Sequence, residues 1–179
     1  MSTTFSTDST ANATPLTLDS ALSAQVHVLG DALRSKGWTV SSAESCTGGG
    51  VAFAFTSVAG SSDWFNQSWV TYSNDAKRSV LGVTEQTLKE YGAVSKQTVK
   101  EMAEGVRRNS GAQLVVTVSG IAGPGGGSEE KPVGTVWFGF LCGEHEEQIK
   151  QVFSGNRDEV RQHAISFAIT QLIKMLSEN

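Results

Sequence analysis

The sequence predicts an α/β sandwich in which helices cover a mixed sheet, and three observations support this class. Segments with strand character alternate with helical segments along most of the chain, the order typical of α/β proteins. The run QLVVTVS at 113–119 is rich in β-branched residues, as in a strand buried on both faces. Two later strands, TVWFGFLC at 135–142 and EQIKQVFS at 147–154, form a predicted hairpin around Gly143, which makes the sheet mixed.

The first third of the chain is predicted to contain a helix, a strand and a second helix. WTVSSA at 38–43 is predicted as a short strand, and the small apolar residues of VAFAFTSVAG suit a buried helix ending at Gly60. Gly37 is the expected stop of the first helix. The apolar face of that helix follows spacings of four, three and four residues: Leu22, Val26, Leu29 and Leu33.

The rest of the chain supplies one more strand and four helices. Ser95 is a good N-cap for the longest helix in the middle of the chain, and Gly111 is a good stop for it. The predicted elements are the strand NQSWVTYS at 66–73, short helices at 74–83 and 84–92, a longer helix at 95–111 and a last helix from Arg157 to Leu176.

Composition excludes several classes of protein. The formal net charge of −4 argues against nucleic-acid binding, which needs a basic face. Neither of the two cysteines belongs to a C-x-x-C pair, so no zinc site and no other metal is predicted. No apolar run approaches the ~20 residues of a membrane span. Because the N-terminus also lacks the features of a signal peptide, we expect a cytoplasmic protein with reduced thiols.

The chain divides into a tail and one domain. Residues 1–16 are rich in Ser, Thr and Ala and have few large apolar side chains, so they are predicted to be a disordered tail. Residues 17–179 are long enough for one domain with a real core and too short for two ordinary ones.

Two glycine-rich loops, 44–50 and 120–127, leave the ends of predicted strands. In open α/β sheets, ligands bind outside the carboxyl ends of strands, so both loops are candidate sites. The first loop also opens a helix, whose N–H groups could hold a phosphate or an oxyanion. Neither loop matches the P-loop or the dinucleotide fingerprint, and the G-x-S-x-G motif of α/β-hydrolases is absent.

The stretch SSAESCTGGG at 41–50 contains two candidate nucleophiles, Ser45 and Cys46, at a strand-to-helix junction. We interpret Cys46 as a small buried residue, because no arginine or histidine is suitably placed to activate its thiol. A serine needs a base. The three histidines are poor candidates, because each is predicted to lie at the surface: His27, His145 and His163.

A lysine or a tyrosine is therefore the expected base, and the segment VTYSNDAK supplies both. Tyr72 ends a predicted strand, and Lys77 follows on the next helix. Burial can lower the pKa of a lysine enough for it to act as a base. The spacing alone also permits a solvated helix charge at Lys77 and a core aromatic at Tyr72.

Six uncommon motifs occur in one order along the chain: AESCTGG, GSSDWF, VTYSNDAK, GAVS, GIAGPGGG and KPVGTVWF. In this the sequence resembles the CinA C-terminal domain family, from the first helix to FSGNRDEVR. The resemblance implies a three-layer α/β/α sandwich with a mixed, mostly parallel sheet in a single domain. It also implies an amidohydrolase of pyridine nucleotide salvage, which converts the carboxamide of nicotinamide mononucleotide to nicotinate mononucleotide and ammonia. No cofactor is expected.

The resemblance further implies that Ser45 is the nucleophile and that Tyr72 and Lys77 manage its proton. Glu44 is expected either to bind ribose hydroxyls or to cap the turn. The second loop and Arg157 are candidates for the substrate phosphate, against the alternatives of a tight crossover turn and a surface charge. The predicted oxyanion and substrate-binding residues are Glu44, Thr47, Gly48, Gly49, Ser119, Gly120, Gly123, Gly125 and Arg157.

Two further expectations concern partners and class. Apolar helices and an exposed sheet edge make a homodimer plausible. The rival hypothesis is a non-catalytic nucleotide-binding regulator linked to competence or DNA damage, which would keep the glycine loops without needing Ser45, Tyr72 and Lys77 together.

Overall fold

The computed structural model describes residues 18–179, so the predicted tail at 1–16 lies outside the described residues. Helices and strands alternate as the sequence predicts. In chain order the elements are α1 Ser20–Lys36, β1 Val40–Glu44, α2 Gly50–Thr56, β2 Phe65–Val70, α3 Asn74–Leu81, α4 Glu85–Tyr91, α5 Lys96–Ser110, β3 Leu114–Gly120, β4 Thr135–Cys142, β5 His145–Val152 and α6 Arg157–Glu178.

The five strands form one sheet in the order β2-β1-β3-β4-β5. β1 lies between β2 and β3 and runs parallel to both. β4 is antiparallel to β3 and to β5, so four of the five strands point the same way. This confirms the mixed, mostly parallel sheet. The carboxyl ends of β1, β2 and β3 consequently meet at one edge, where ligands bind in such sheets.

Helices cover both faces of the sheet, which confirms the three-layer sandwich. On one face α1, α2 and α6 enclose the larger apolar core, in which Phe55, Trp64 and Phe138 are fully buried. On the other face α3 and α5 enclose a smaller core around Leu81 and Met102. Within residues 18–179, no helix is both long and apolar enough to cross a membrane.

A glycine sets the position of α3, the helix that carries Lys77. Gly105 of α5 packs directly against the backbone of α3, and a Cβ at this position would clash with the carbonyl oxygen of Leu81. This close approach holds α3 against α5, which itself packs on the sheet.

Helix ends agree closely with the sequence prediction. The Ser95 hydroxyl caps α5 by accepting the Thr98 N–H at 3.2 Å. Gly37 and Gly111 end α1 and α5 in the left-handed conformation, with φ of 63° and 69°. This conformation carries no steric penalty for glycine.

Several predicted boundaries differ from the structure. β2 ends at Val70 and not at residue 73, so Tyr72 follows the strand and does not end it. α2 ends at Thr56 and not at Gly60. At this end of the helix, Ser57 Oγ donates to the carbonyl of Phe53 at 2.7 Å. β1 extends to Glu44, because that residue still pairs with both neighbouring strands. β5 begins at His145, since Gly143, with a φ of 54°, allows a turn of two residues.

Candidate active site

Ser45 lies at the carboxyl end of the central strand. It directly follows β1, and its N–H donates to the carbonyl of Val118 on β3 at 2.9 Å. On the other side, the carbonyl of Glu44 accepts the Thr71 N–H at 2.9 Å. The serine is therefore held from both sides by main-chain hydrogen bonds, and its half-buried side chain emerges where the three strands end.

Glu44 clamps the start of α2. Its side chain is fully buried, and its carboxylate accepts the N–H groups of Gly49, Val51 and Ala52 at 3.1, 3.0 and 2.9 Å. Gly48 and Gly49 shape this turn with φ values of 62° and 95°, a region that favours glycine. The geometry favours the turn-capping alternative for Glu44 over ribose binding.

Two N–H groups beside Ser45 remain open to a ligand. The Gly48 N–H donates to the carbonyl of Ser45 at 3.1 Å, and the Gly50 N–H donates to that of Thr47 at 3.2 Å. Within the described residues, no oxygen acceptor is found for the N–H groups of Cys46 and Thr47, which have only the sulfur of Cys46, a weak acceptor, beside them. Oxyanion donors in acyl-transfer enzymes commonly follow the nucleophile directly. The N–H groups of Cys46 and Thr47 therefore fit an oxyanion better than that of Gly48, a predicted oxyanion residue whose N–H already donates to Ser45.

Lys77 is buried against Ser45, with only 1% of its surface exposed. Its Nζ lies 3.1 Å from Ser45 Oγ. The same Nζ donates to the carbonyl of Thr71 at 2.8 Å and to the carbonyl of Tyr72 at 3.4 Å. The start of α3 fixes the lysine, because the Ser73 hydroxyl caps this helix. Burial lowers the pKa of Lys77 from 10.5 to about 8, because it penalises the charged ammonium.

Tyr72 presents a different part of itself to the site than the sequence suggested. Its carbonyl contacts Lys77, whereas its side chain is 62% exposed and its phenol oxygen lies 3.4 Å from Nη2 of Arg157. Among the described residues, the Tyr72 hydroxyl makes no hydrogen bond to Ser45. The geometry therefore favours Lys77 over Tyr72 as the base.

The second glycine loop is tied to the same region by Arg157. Nη1 of Arg157 donates to the carbonyl of Gly123 at 2.9 Å, while the guanidinium remains exposed. Gly120 is the last residue of β3, and Gly125 faces open space. The hydroxyl of Ser119 is buried and donates to the carbonyl of Ala93 at 2.7 Å, so in this structure it holds a neighbouring loop.

Arg161 is the residue of this region that sequence reasoning missed. It lies one turn after Arg157 on α6, and its Nη2 donates to the carbonyl of Thr47 at 3.1 Å. The arginine pair in NRDEVR was the available signal, since residues four apart share a helix face.

Cys46 and the histidines behave as the sequence suggested. Cys46 is buried in the larger core, and burial raises the pKa of its thiol to about 11. The imidazoles of His27, His145 and His163 are exposed. Among residues 18–179, no group of three His, Cys, Asp or Glu side chains is placed to hold a metal ion.

The fold and the site together define a class: a three-layer α/β protein with a serine–lysine pair at the carboxyl end of its central parallel strand. The chain belongs to the CinA C-terminal domain family, whose model matches residues 22–176.

Similar proteins include several with an assigned activity. A protein from Enterobacter agglomerans named nicotinamide-nucleotide amidohydrolase PncC is 55% identical over 153 residues, which cover 84% of this chain and 93% of that protein. The protein of the same name from Escherichia coli K12 is 49% identical and is covered to 98%, against 90% of this chain. A CinA-like protein from Petrotoga mobilis is 47% identical over 82% of this chain, but only 36% of that protein is covered.

Solved structures share the fold. The competence/damage inducible protein CihA from Agrobacterium tumefaciens superposes with a TM-score of 0.83 at 39% identity, covering 90% of this chain and 99% of that one. The competence damage-inducible protein A from Klebsiella pneumoniae gives a TM-score of 0.84 at 36% identity, with 87% and 97% covered.

Proposed function

We propose that this protein hydrolyses the carboxamide of nicotinamide mononucleotide to nicotinate mononucleotide and ammonia, a step of pyridine nucleotide salvage. The observation that carries the proposal is the 3.1 Å contact between Ser45 Oγ and Nζ of the buried Lys77. Sequence identity of 45–55% to relatives named nicotinamide-nucleotide amidohydrolase supports the choice of substrate.

In the first half of the reaction, Ser45 Oγ attacks the carboxamide carbon. Neutral Lys77 accepts the hydroxyl proton as the new carbon–oxygen bond forms. The negative charge that develops on the carboxamide oxygen is stabilised by the N–H groups of Cys46 and Thr47. One such donor typically lowers the barrier by about 3 kcal/mol.

In the second half, the protonated Lys77 returns its proton to the leaving nitrogen, the carbon–nitrogen bond breaks and ammonia departs. An ester between Ser45 and the nicotinoyl group remains. A water molecule then attacks this ester while neutral Lys77 takes its proton, and the proton passes to Ser45 Oγ as nicotinate mononucleotide leaves. The side chains of Ser45 and Lys77, two main-chain N–H groups and one water molecule supply every step, and the proposal needs no cofactor.

The substrate phosphate fits the side of the site formed by Arg157 and the second glycine loop. The exposed guanidinium of Arg157 donates to the carbonyl of Gly123 and contacts the phenol of Tyr72. Its other N–H groups can bind a phosphate that enters from solvent. Arginine suits this role because its planar donors match phosphate oxygens. A non-catalytic nucleotide-binding regulator is the weaker hypothesis, since it would not require a buried lysine of lowered pKa beside a serine.

Three expectations about partners and location stay predictions: a homodimer, a cytoplasmic location and no binding of nucleic acid. Size-exclusion chromatography with light scattering measures the first. A monomeric mass at micromolar concentration would contradict it.

The deciding experiment measures ammonia release from nicotinamide mononucleotide by the purified protein, with free nicotinamide as a matched substrate that lacks ribose and phosphate. We expect rapid release from the mononucleotide and little from nicotinamide. Absence of release from the mononucleotide, by a protein with a cooperative thermal transition, would refute the proposed function.

A further inference from the structure

Arg161 connects the last helix to the loop that follows Ser45. Its Nη2 donates to the carbonyl of Thr47 at 3.1 Å, and its Nη1 lies 3.8 Å from the carboxylate of Asp158. The arginine side chain is 35% exposed, while the Asp158 side chain is 82% exposed. The ion pair is therefore largely solvated and contributes little, so the bond to Thr47 is the distinctive contact of Arg161.

The loop segment that Arg161 contacts has few other anchors. Glu44 fixes the N–H groups from Gly49 onward, but it makes no bond to Cys46 or Thr47. The Thr47 hydroxyl is buried and has no hydrogen-bond partner among the described residues, so it does not hold the segment. Among residues 18–179, and apart from turn bonds within the loop itself, the guanidinium of Arg161 is the group that hydrogen-bonds to Thr47.

We propose that Arg161 is a positioning residue that aims the oxyanion donors of this site. By holding the carbonyl of Thr47, it fixes the peptide plane between Thr47 and Gly48 and so restrains the preceding plane, which carries the Thr47 N–H group. Donors must lie within about 3 Å of the developing oxyanion, so a small rotation of these planes weakens catalysis more than substrate binding. The proposal rests on the acyl-transfer function proposed above.

Arg107 provides a matched control. Its Nη2 donates to the carbonyl of Gly143, at 2.6 Å, from a half-buried position on α5. Arg107→Gln therefore removes the same kind of contact, between a guanidinium and a loop carbonyl, in the hairpin turn between β4 and β5.

The first test compares Arg161→Gln, Arg161→Lys and Arg107→Gln in ammonia release from nicotinamide mononucleotide. We expect Arg161→Gln to lower kcat by about 10- to 100-fold with KM within about threefold, and Arg107→Gln to change kcat by less than about twofold. Arg161→Lys should recover most of the loss, because an ammonium can still donate to Thr47. Guanidinium ion at millimolar concentration should raise the rate of Arg161→Gly but not of Arg107→Gly.

A rise in KM with unchanged kcat would overturn the proposal, since it would mean that Arg161 contacts the substrate. Equal losses in the Arg161 and Arg107 variants would also overturn it, because they would indicate general destabilisation.

A second readout separates this proposal from the choice of substrate. A fluorophosphonate probe phosphonylates an activated serine and places its oxygen in the oxyanion position, and mass spectrometry measures the labelling rate. Labelling without ammonia release in the wild type would refute the substrate only, and slower labelling of Arg161→Gln would still support the positioning role. Equal labelling rates, or no labelling of the wild type, would refute that role.

Discussion

The pH dependence of the reaction tests whether Lys77 is the base. With a pKa of about 8, this lysine is neutral in about one tenth of molecules at pH 7 and about nine tenths at pH 9. A lysine at the ordinary value of 10.5 would be neutral in only about 3 of 10,000 molecules at pH 7. Burial against Ser45 thus raises the reactive fraction at neutral pH by roughly 300-fold.

The sign of the effect follows from the role of a base. Only neutral Lys77 can accept the serine proton, so kcat/KM should rise about tenfold between pH 7 and 9 and level off above that. The midpoint of the rise, near pH 8, distinguishes the candidates. An ordinary histidine would place it near pH 6.5, and a tyrosine near pH 10.

The assay follows nicotinate mononucleotide by chromatography at substrate concentrations well below KM, from pH 6 to 10. Lys77→Met should lower kcat/KM by about 10² to 10⁴ and abolish the rise with pH. Tyr72→Phe should keep the rise, because the Tyr72 phenol contacts Arg157 and not Ser45. If the rise survives in Lys77→Met and disappears in Tyr72→Phe, the assignment of the base to Lys77 is wrong.

The remaining predictions concern three neighbouring residues. Ser45→Ala should reduce turnover at least about 1000-fold with an unchanged fold, as circular dichroism would show; turnover within tenfold of wild type would exclude Ser45 as nucleophile. Cys46→Ser should keep activity within about threefold but lose about 1–2 kcal/mol in urea unfolding, because a hydroxyl replaces a buried thiol; an inactive variant of normal stability would implicate the thiol in catalysis. Glu44→Gln should lose about 2–3 kcal/mol, because a charged acceptor of three N–H groups becomes neutral; unchanged stability with a raised KM would instead identify a ribose ligand.

Local chemistry made most of the fold predictable from the sequence. Gly37 and Gly111 mark helix ends because their left-handed conformation suits glycine, and that preference is visible in any sequence. The end of α2 was misplaced, because Ser57 bonds back to the helix carbonyls before the chain reaches Gly60. Such a competition between hydroxyl and main chain depends on geometry that an apolar run does not encode.

The candidate site was predictable only in part. Its contacts join residues far apart in the chain, and sequence patterns indicate mainly the contacts between near neighbours. Ser45 and Lys77 are 32 residues apart, but two parallel strands and a short turn bring them together in a way that the motifs suggested. The choice between Lys77 and Tyr72 depends on whether the carbonyl or the phenol of Tyr72 faces inward, which the sequence does not determine. Arg161 reaches Thr47 across 114 residues; the arginine pair in NRDEVR indicates a shared helix face, but it does not indicate which loop that face contacts.

The clamp by Glu44 explains why the glycine-rich stretch does not resemble a phosphate loop. Phosphate loops keep the N–H groups of a helix N-terminus free for the ligand. Here a buried carboxylate already accepts three of those N–H groups and supplies the negative charge that the helix start favours. An incoming phosphate at this position would meet an occupied site and a like charge. Recognition of the phosphate is therefore better assigned to Arg157 and the second loop, which leaves Cys46 and Thr47 to the oxyanion and separates substrate binding from catalysis within one edge of the sheet.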